Sequence, residues 1–242
     1  MLKINNVIKS YGPKLALNNV SIDISQGEII GLFGENGAGK TTLMKSILGF
    51  IPIDRGDITL DGATIGPANY DRISFATCEH SFFASLNAKE HKEFYQLQFP
   101  KFNERRFDTL MEFFELPYKK PIRTFSTGQK NQFETILSLS QGADYIFMDE
   151  PFSGSDIFNR DDFYKVLLGI LEPHETIILS THLIEEIKHF IGRAILLRKG
   201  ELIGDVSTEE LDDNNLDVTS WIKTQYNYRA NRVLEALQKS KL

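Results

Sequence analysis

Gly34-Glu35-Asn36-Gly37-Ala38-Gly39-Lys40-Thr41 sits between an apolar run, Ile29 to Phe33, and a helical segment, Thr42 to Leu48. Few backbones accept such a stretch. The glycines let successive N–H groups converge on one point, and the N-terminus of the following helix adds partial positive charge, which together make a cradle for phosphate oxygens. Gly34, Asn36, Gly37, Ala38, Gly39 and Thr42 are its candidate lining. Lys40 is placed to reach the β and γ phosphates of a nucleotide, and the Thr41 hydroxyl to ligand Mg²⁺. A glycine-rich turn with a solvated lysine would satisfy the letters alone; the strand before and the helix after are what the phosphate reading requires. That order demands an α/β fold.

Four later runs, Ile73 to Thr77, Tyr145 to Met148, Thr176 to Ser180 and Ala194 to Arg198, are nearly continuous apolar segments of strand length. Strands of this kind are buried on both faces of a parallel sheet. Shorter β-branched runs crowd the first quarter, Lys3 to Val7, Val20 to Ile24, Glu28 to Phe33 and Asp57 to Leu60, and suggest a β-rich N-terminal lobe. Between about 79 and 139 the chain turns helical and rich in phenylalanine, as an inserted helical lobe would. The expected body spans 1–206. A helical extension, 207–242, follows, with a Ser-Thr-Glu-Glu start after Val206 and an amphipathic tail from Trp221 to Leu237. A length of 242 residues with 41% hydrophobic and 25% charged residues suits one large folded body and excludes disorder or coiled coil. The net charge of −6 argues against the broad positive field that non-specific nucleic-acid binding needs, so no nucleic-acid partner is expected. The single cysteine, Cys78, has no internal disulfide partner, the N-terminus shows no secretory pattern, and no window approaches the run of about 20 apolar residues of a membrane span. The expected location is the cytoplasm, with any work at a membrane done through a partner.

Tyr145-Ile146-Phe147-Met148-Asp149-Glu150 supplies the second half of a phosphate site. An apolar strand ending in a carboxylate puts Asp149 at the C-terminal edge of the sheet, where ligands of open α/β sheets bind, and there it is a candidate Mg²⁺ ligand. Glu150 follows it, placed to orient or deprotonate an attacking water.

Phe125-Ser126-Thr127-Gly128-Gln129 lies one helix before that strand. With the cradle, the Asp149-Glu150 strand, Ser153-Gly154-Ser155-Asp156 and Ser180-Thr181-His182 in this order, the chain resembles the ATP-binding cassette (ABC) ATPase subunits, over residues 1 to about 205. The resemblance implies a P-loop NTPase core, a mostly parallel sheet flanked by helices, with an N-terminal antiparallel β lobe and the inserted helical lobe. It also implies ATP and Mg²⁺ as ligands. By the same resemblance Tyr11 stacks on adenine, His182 hydrogen-bonds the γ-phosphate, and Ser126 and Gly128, with Gln129 beside them, act on the nucleotide of the opposite protomer. A helix N-terminus near Gln129 gives that contact a physical basis, although a plain Ser-Thr helix cap would explain the same letters.

Three positions depart from the family pattern. Thr127 and Ser155 replace the commonest residues of their motifs while Gly128 and Asp156 are kept. Cys78 stands where the family has a glutamine that senses Mg²⁺ and the membrane partner. A thiol is a poor ligand for a hard cation, so Glu79, next along, is the second candidate for a metal-directed role. Phe82 and Phe83, just beyond, are candidate residues of the groove that receives a helix of the membrane partner.

The resemblance therefore implies an ATPase subunit that pairs with a second cassette and energises a separately encoded integral membrane permease, lying peripherally at the inner face of the membrane. The signature and short chain resemble ABC-2 type exporters of drugs, antibiotic peptides or lipids. The alternative within the family is a soluble ATPase without a membrane partner, an assembly factor or other nucleotide-driven machine. A binding module that no longer hydrolyses is a further alternative, against which Glu150 and His182 argue.

Overall fold

In the computed structural model, residues 1–151 and 157–226 are described, with side chains of 157–162 left aside. The Ser153-to-Asp156 loop and the tail beyond Tyr226 lie outside the described residues. The chain opens with a long hairpin, β1 (Leu2–Tyr11) and β2 (Lys14–Ile24), turned at Gly12-Pro13. Then come β3 (Ile29–Phe33), α1 (Lys40–Ile47), β4 (Arg55–Leu60), β5 (Ala63–Thr64) and β6 (Ile73–Thr77). The helical lobe supplies α2 (Ala88–Gln98), α3 (Glu104–Phe113) and α4 (Thr127–Ser140). The remaining elements are β7 (Tyr145–Asp149), α5 (Ile157–Ile170), β8 (Thr176–Ser180), α6 (Ile184–Ile187), β9 (Arg193–Arg198), β10 (Glu201–Ser207), α7 (Thr208–Asp213) and α8 (Val218–Gln225).

Two sheets result. The first is antiparallel, in the order β2-β1-β4-β5; the second runs β10-β9-β3-β8-β7-β6, parallel except for the β9–β10 hairpin. β3 therefore leaves the N-terminal lobe to which its position in the sequence assigns it and becomes a central strand of the second sheet. The reason is its unbroken apolar run: Ile30 to Phe33 are buried, whereas the true lobe strands alternate, with Leu2, Ile4 and Val7 buried between exposed or half-buried neighbours.

The period of two sorts each strand of the second sheet between two cores. Ile30, Leu32, Tyr145, Phe147, Ile178, Ile195 and Leu197 face a core shared with the antiparallel sheet and with Leu43, Met44 and Ile47 of α1. Phe33, Ile146, Met148, Ile177, Leu179 and Leu196 face the other, shared with Phe107 of α3, Phe133 and Ile136 of α4, and Leu167 of α5. α1 is thus held between the two sheets, which fixes the loop in front of it.

α4 joins lobe and body. It packs on β6 and on α3, and nine of its residues, Asn131 and Phe133 to Ser140, are buried. α3 is tied to the body by Arg106, whose guanidinium grips the Glu175 carboxylate at 2.7 and 2.9 Å before β8 and also donates to the Leu139 carbonyl. Both side chains are only 4% exposed. The extension begins as its sequence suggests, with Ser207 capping α7, but α8 starts at Val218 with Asp217 as its cap rather than at Trp221. Trp221 and Ile222 are buried, and the Trp221 indole presses on Gly204, where a Cβ would come within 2.5 Å.

Candidate nucleotide site

The parallel register builds the site before any side chain is considered. Thr77 of β6, Asp149 of β7 and Ser180 of β8 are paired in one row, at the ends of their strands, and the Gly34-to-Thr41 loop leaves β3 from the same edge. Gly34 lies at φ 152°, pressed against β9, where any Cβ would meet the Leu197 carbonyl oxygen at 2.4 Å. Gly39 lies at φ 110°, at the mouth of α1, with the Ala16 carbonyl oxygen at 2.6 Å from a built Cβ. Both positions combine a backbone that L side chains rarely adopt with no room for a side chain. The loop is thereby clamped between β2 and β9.

A cavity of about 410 Å³ opens over it. Of the residues the sequence offers, Tyr11, Asn36 to Thr42, Asp149 and Glu150 line it, whereas Gly34, at the root of the loop against β9, does not; Lys14, Ala16 and Thr77 join them. The last three were not legible as site residues because they reach the cavity only through the β1–β2 hairpin and the β6–β7 register. Tyr11 is 48% exposed, and the Lys9 ammonium lies 5.5 Å from its ring centroid, so a flat face is held open at the rim.

Asp149 is fixed from two sides. The Thr41 hydroxyl of α1 donates to one carboxylate oxygen at 2.6 Å and the Ser180 hydroxyl of β8 to the other at 2.7 Å. Glu150 adopts φ 49°, in the left-handed region uncommon for glutamate, while its N–H still donates to the Ser180 carbonyl at 2.9 Å. This turn swings its side chain away from the strand to His182, whose Nδ1 lies 3.0 Å from the carboxylate. His182 itself does not line the cavity; it is 65% exposed and touches the site through Glu150. Lys40 is buried, and its ammonium donates to the Gly34 carbonyl at 2.7 Å. Burial lowers its pKa, opposed by the nearby Glu150 and Asp149 charges.

The donor set suits a hard divalent cation. One hydroxyl and one carboxylate already in contact are the few protein oxygens that Mg²⁺ takes when phosphates complete its shell. Glu79 lines the cavity too, but both its oxygens lie 2.7 Å from the Lys45 ammonium on α1. The thiol of Cys78 approaches the Asp149 carbonyl oxygen instead, at 4.0 Å. Burial, ahead of the charges of Asp149, Glu150 and Glu79, pushes that thiol's pKa up.

Ser126, Gly128 and Gln129 do not line this cavity. The helix begins at Thr127, two residues before the expected start, because Ser126 is its N-cap: the Gln129 N–H donates to Ser126 Oγ at 3.2 Å, and the Ser126 N–H to Gln129 Oε1 at 3.0 Å. Ser126 is exposed there. The groove between body and lobe holds about 690 Å³ and is lined by Phe50, Tyr70, Phe75, Tyr95 and Phe99 with Lys45, Glu79 and Glu134. Neither Phe82 nor Phe83 belongs to it. Phe82 packs inward edge-on against Phe133, at 5.8 Å, and Phe83 stands 51% exposed, stacked on His91 and edge-on to Phe94 of α2.

A glycine-clamped phosphate cradle, a carboxylate pinned by the cradle's own threonine and a second carboxylate beside a histidine, all on one edge of a parallel sheet, define a nucleotide-binding P-loop ATPase cassette. Residues 17–153, more than half of the chain, match the family described as ABC transporter, and the chain belongs to that family as an ATP-binding subunit. It is 29% identical over 230 residues to "ABC transporter ATP-binding protein YtrB" of Bacillus subtilis (strain 168), covering 94% of this chain and 79% of the relative. It is 28% identical over 224 residues to "Lantibiotic transport ATP-binding protein SrtF" of Streptococcus pyogenes, covering 89% and 97%. Among solved structures, the ATP-binding cassette MJ0796, a dimer in a post-hydrolysis state with ADP and Pi, superposes with a TM-score of 0.74 at 23% identity, over 86% of this chain and 98% of that one. Among the described residues no helix is long and apolar enough to cross a membrane.

Proposed function

We propose that two copies of this cassette, or this one and a similar partner, close head to tail on MgATP and hydrolyse it to drive a separately encoded membrane permease, working as an exporter. The observation that carries the ATPase reading is the pair of pinned carboxylates, Asp149 between Thr41 and Ser180, and Glu150 against His182. Mg²⁺ held by Thr41 and Asp149 supplies neutralisation of phosphate charge. Glu79 is a further ligand only once Lys45 releases it. Lys40 moves from the Gly34 carbonyl to the phosphates, Tyr11 offers its face to the adenine, and Glu150 takes the proton of the attacking water while His182 holds its carboxylate and meets the γ-phosphate. Ser126, Gly128 and Gln129, turned outward from their own cavity, serve the nucleotide of the opposing cassette. ATP touching both cassettes favours the closed dimer, and loss of the bridging phosphate reopens it. The aromatic groove between body and lobe receives a cytoplasmic helix of the permease and places the cassette at the inner face of the membrane. A transport role is supported by the lantibiotic-transport name of one relative, and export by the likeness of the signature and short chain to ABC-2 type exporters.

The test is a pair of substitutions. Lys40→Ala is expected to abolish ATP binding, while Glu150→Gln keeps binding, slows turnover by about 10²- to 10⁴-fold, and traps an ATP-bound dimer on size exclusion. Equal turnover in wild type and Glu150→Gln would remove Glu150 as base. Expression beside the polytopic membrane protein of a neighbouring gene is expected to carry the cassette to the membrane fraction.

A further inference from the structure

The C-terminal extension reaches back to the phosphate loop. α8 is capped by Asp217, anchored by buried Trp221 and Ile222, and ends in Tyr226, whose own N–H closes the helix on the Ile222 carbonyl. The ring lies 5.1 Å from the Arg198 guanidinium at the end of β9. Its hydroxyl accepts from the Glu35 N–H at 3.3 Å and donates to the Leu197 carbonyl at 3.5 Å. The Glu35 N–H and the Gly34 carbonyl belong to one peptide unit, and Lys40 grips the carbonyl end. A single peptide plane at the root of the loop is therefore held at one end by the lysine that must leave for phosphate and at the other by a tyrosine from outside the 1–206 body.

This peptide needs holding. Gly34, at φ 152°, has the rotational freedom of glycine, and once Lys40 departs nothing from the loop itself restrains the carbonyl. Turning the plane over would carry the carbonyl from the Lys40 side to the Tyr226 side and change the course of the loop that follows. We propose that Tyr226 is a positioning residue of the nucleotide site: its hydroxyl fixes the Gly34–Glu35 peptide so that the loop keeps its phosphate-binding shape while Lys40 changes partners. The role rests on the cavity being the nucleotide site. It concerns the loop as a whole rather than the γ-phosphate, so ATP and ADP feel it equally, and it acts on binding more than on the chemical step.

Tyr226→Phe keeps the ring beside Arg198 and deletes only the hydroxyl. Calorimetric titration of the full chain with MgATP and with MgADP is expected to show Kd for both rising about three- to tenfold, the weight of one neutral hydrogen bond. The steady-state KM for ATP rises in step, while kcat changes by less than about twofold. Calorimetry reports stoichiometry apart from affinity, so a partly unfolded sample lowers the first and leaves the second. Arg198→Gln, which frees the ring, is expected to raise Kd in the same direction, and combined with Tyr226→Phe to add little. Affinities unchanged in Tyr226→Phe, or a loss confined to kcat, would overturn the inference while wild type still binds ATP. Failure of wild type itself to bind ATP would overturn the reading of the site and this inference with it.

Discussion

Cys78 and Glu79 are neighbours in the chain and in the cavity wall, with different partners. The thiol lies by the Asp149 carbonyl, whereas the carboxylate is taken up by Lys45; both residues line the cavity and both are exposed. A nucleotide filling the cavity covers the first. Alkylation of Cys78, exposed but partly desolvated, by a maleimide is expected to be slower than that of a free thiol, because that desolvation and the facing carboxylates disfavour the thiolate, and slower again with ATP present. An alkylation rate indifferent to ATP would place the thiol outside the nucleotide's reach. The same contrast explains why sequence could name both residues and choose neither: the choice depends on Lys45, one turn into α1, which only folding brings beside the loop after β6.

Among the elements, α3 and α4 carry the connection between lobe and body. The Arg106–Glu175 pair is buried on both sides, and each partner is the other's counter-charge. Arg106→Met leaves Glu175 charged and enclosed, and is expected to cost about 3–5 kcal/mol of stability by chemical denaturation. A loss as small as an exposed ion pair gives would show that the pair is hydrated. The helical character of the lobe was legible but its caps were not: Asn87 and Ser126 each close a capping box with the residue three positions on, and α4 starts two residues before the expected Gln129. Which phenylalanines line the groove was not legible. Phe82 and Phe83 are adjacent in sequence, yet one packs inward on Phe133 and the other stands exposed, because that division depends on how α2 and α4 flank the loop.

For the molecule as a whole, the decisive fact is that the signature residues lie off their own phosphate cavity. If they act on nucleotide, they act across a dimer. A Ser126→Arg chain is expected to be inactive by itself and to regain ATPase activity when mixed with an inactive Lys40→Ala chain, since the mixed dimer re-forms one composite site. Absence of rescue in samples where mixed dimers are demonstrated by native mass spectrometry would end the shared-site reading for this chain.

Local chemistry determined a good deal by itself. The Gly34-to-Thr41 spacing, the strand ending in Asp149-Glu150, and the cap of α7 are written in neighbouring residues, because backbone conformation at a phosphate cradle or a helix start is decided within a few positions. The continuous apolar runs announced a parallel sheet for the same reason, since a strand buried on both faces has no polar side to show. What tertiary structure alone decided is everything that depends on register and neighbours. β3 joined the second sheet rather than the lobe, Ser180 became the second anchor of Asp149, Lys45 took Glu79, and Tyr226 came to rest on a peptide 191 residues earlier. Each is a contact between segments distant in sequence, whose partner is chosen by how sheets and helices pack and by no property of either residue alone.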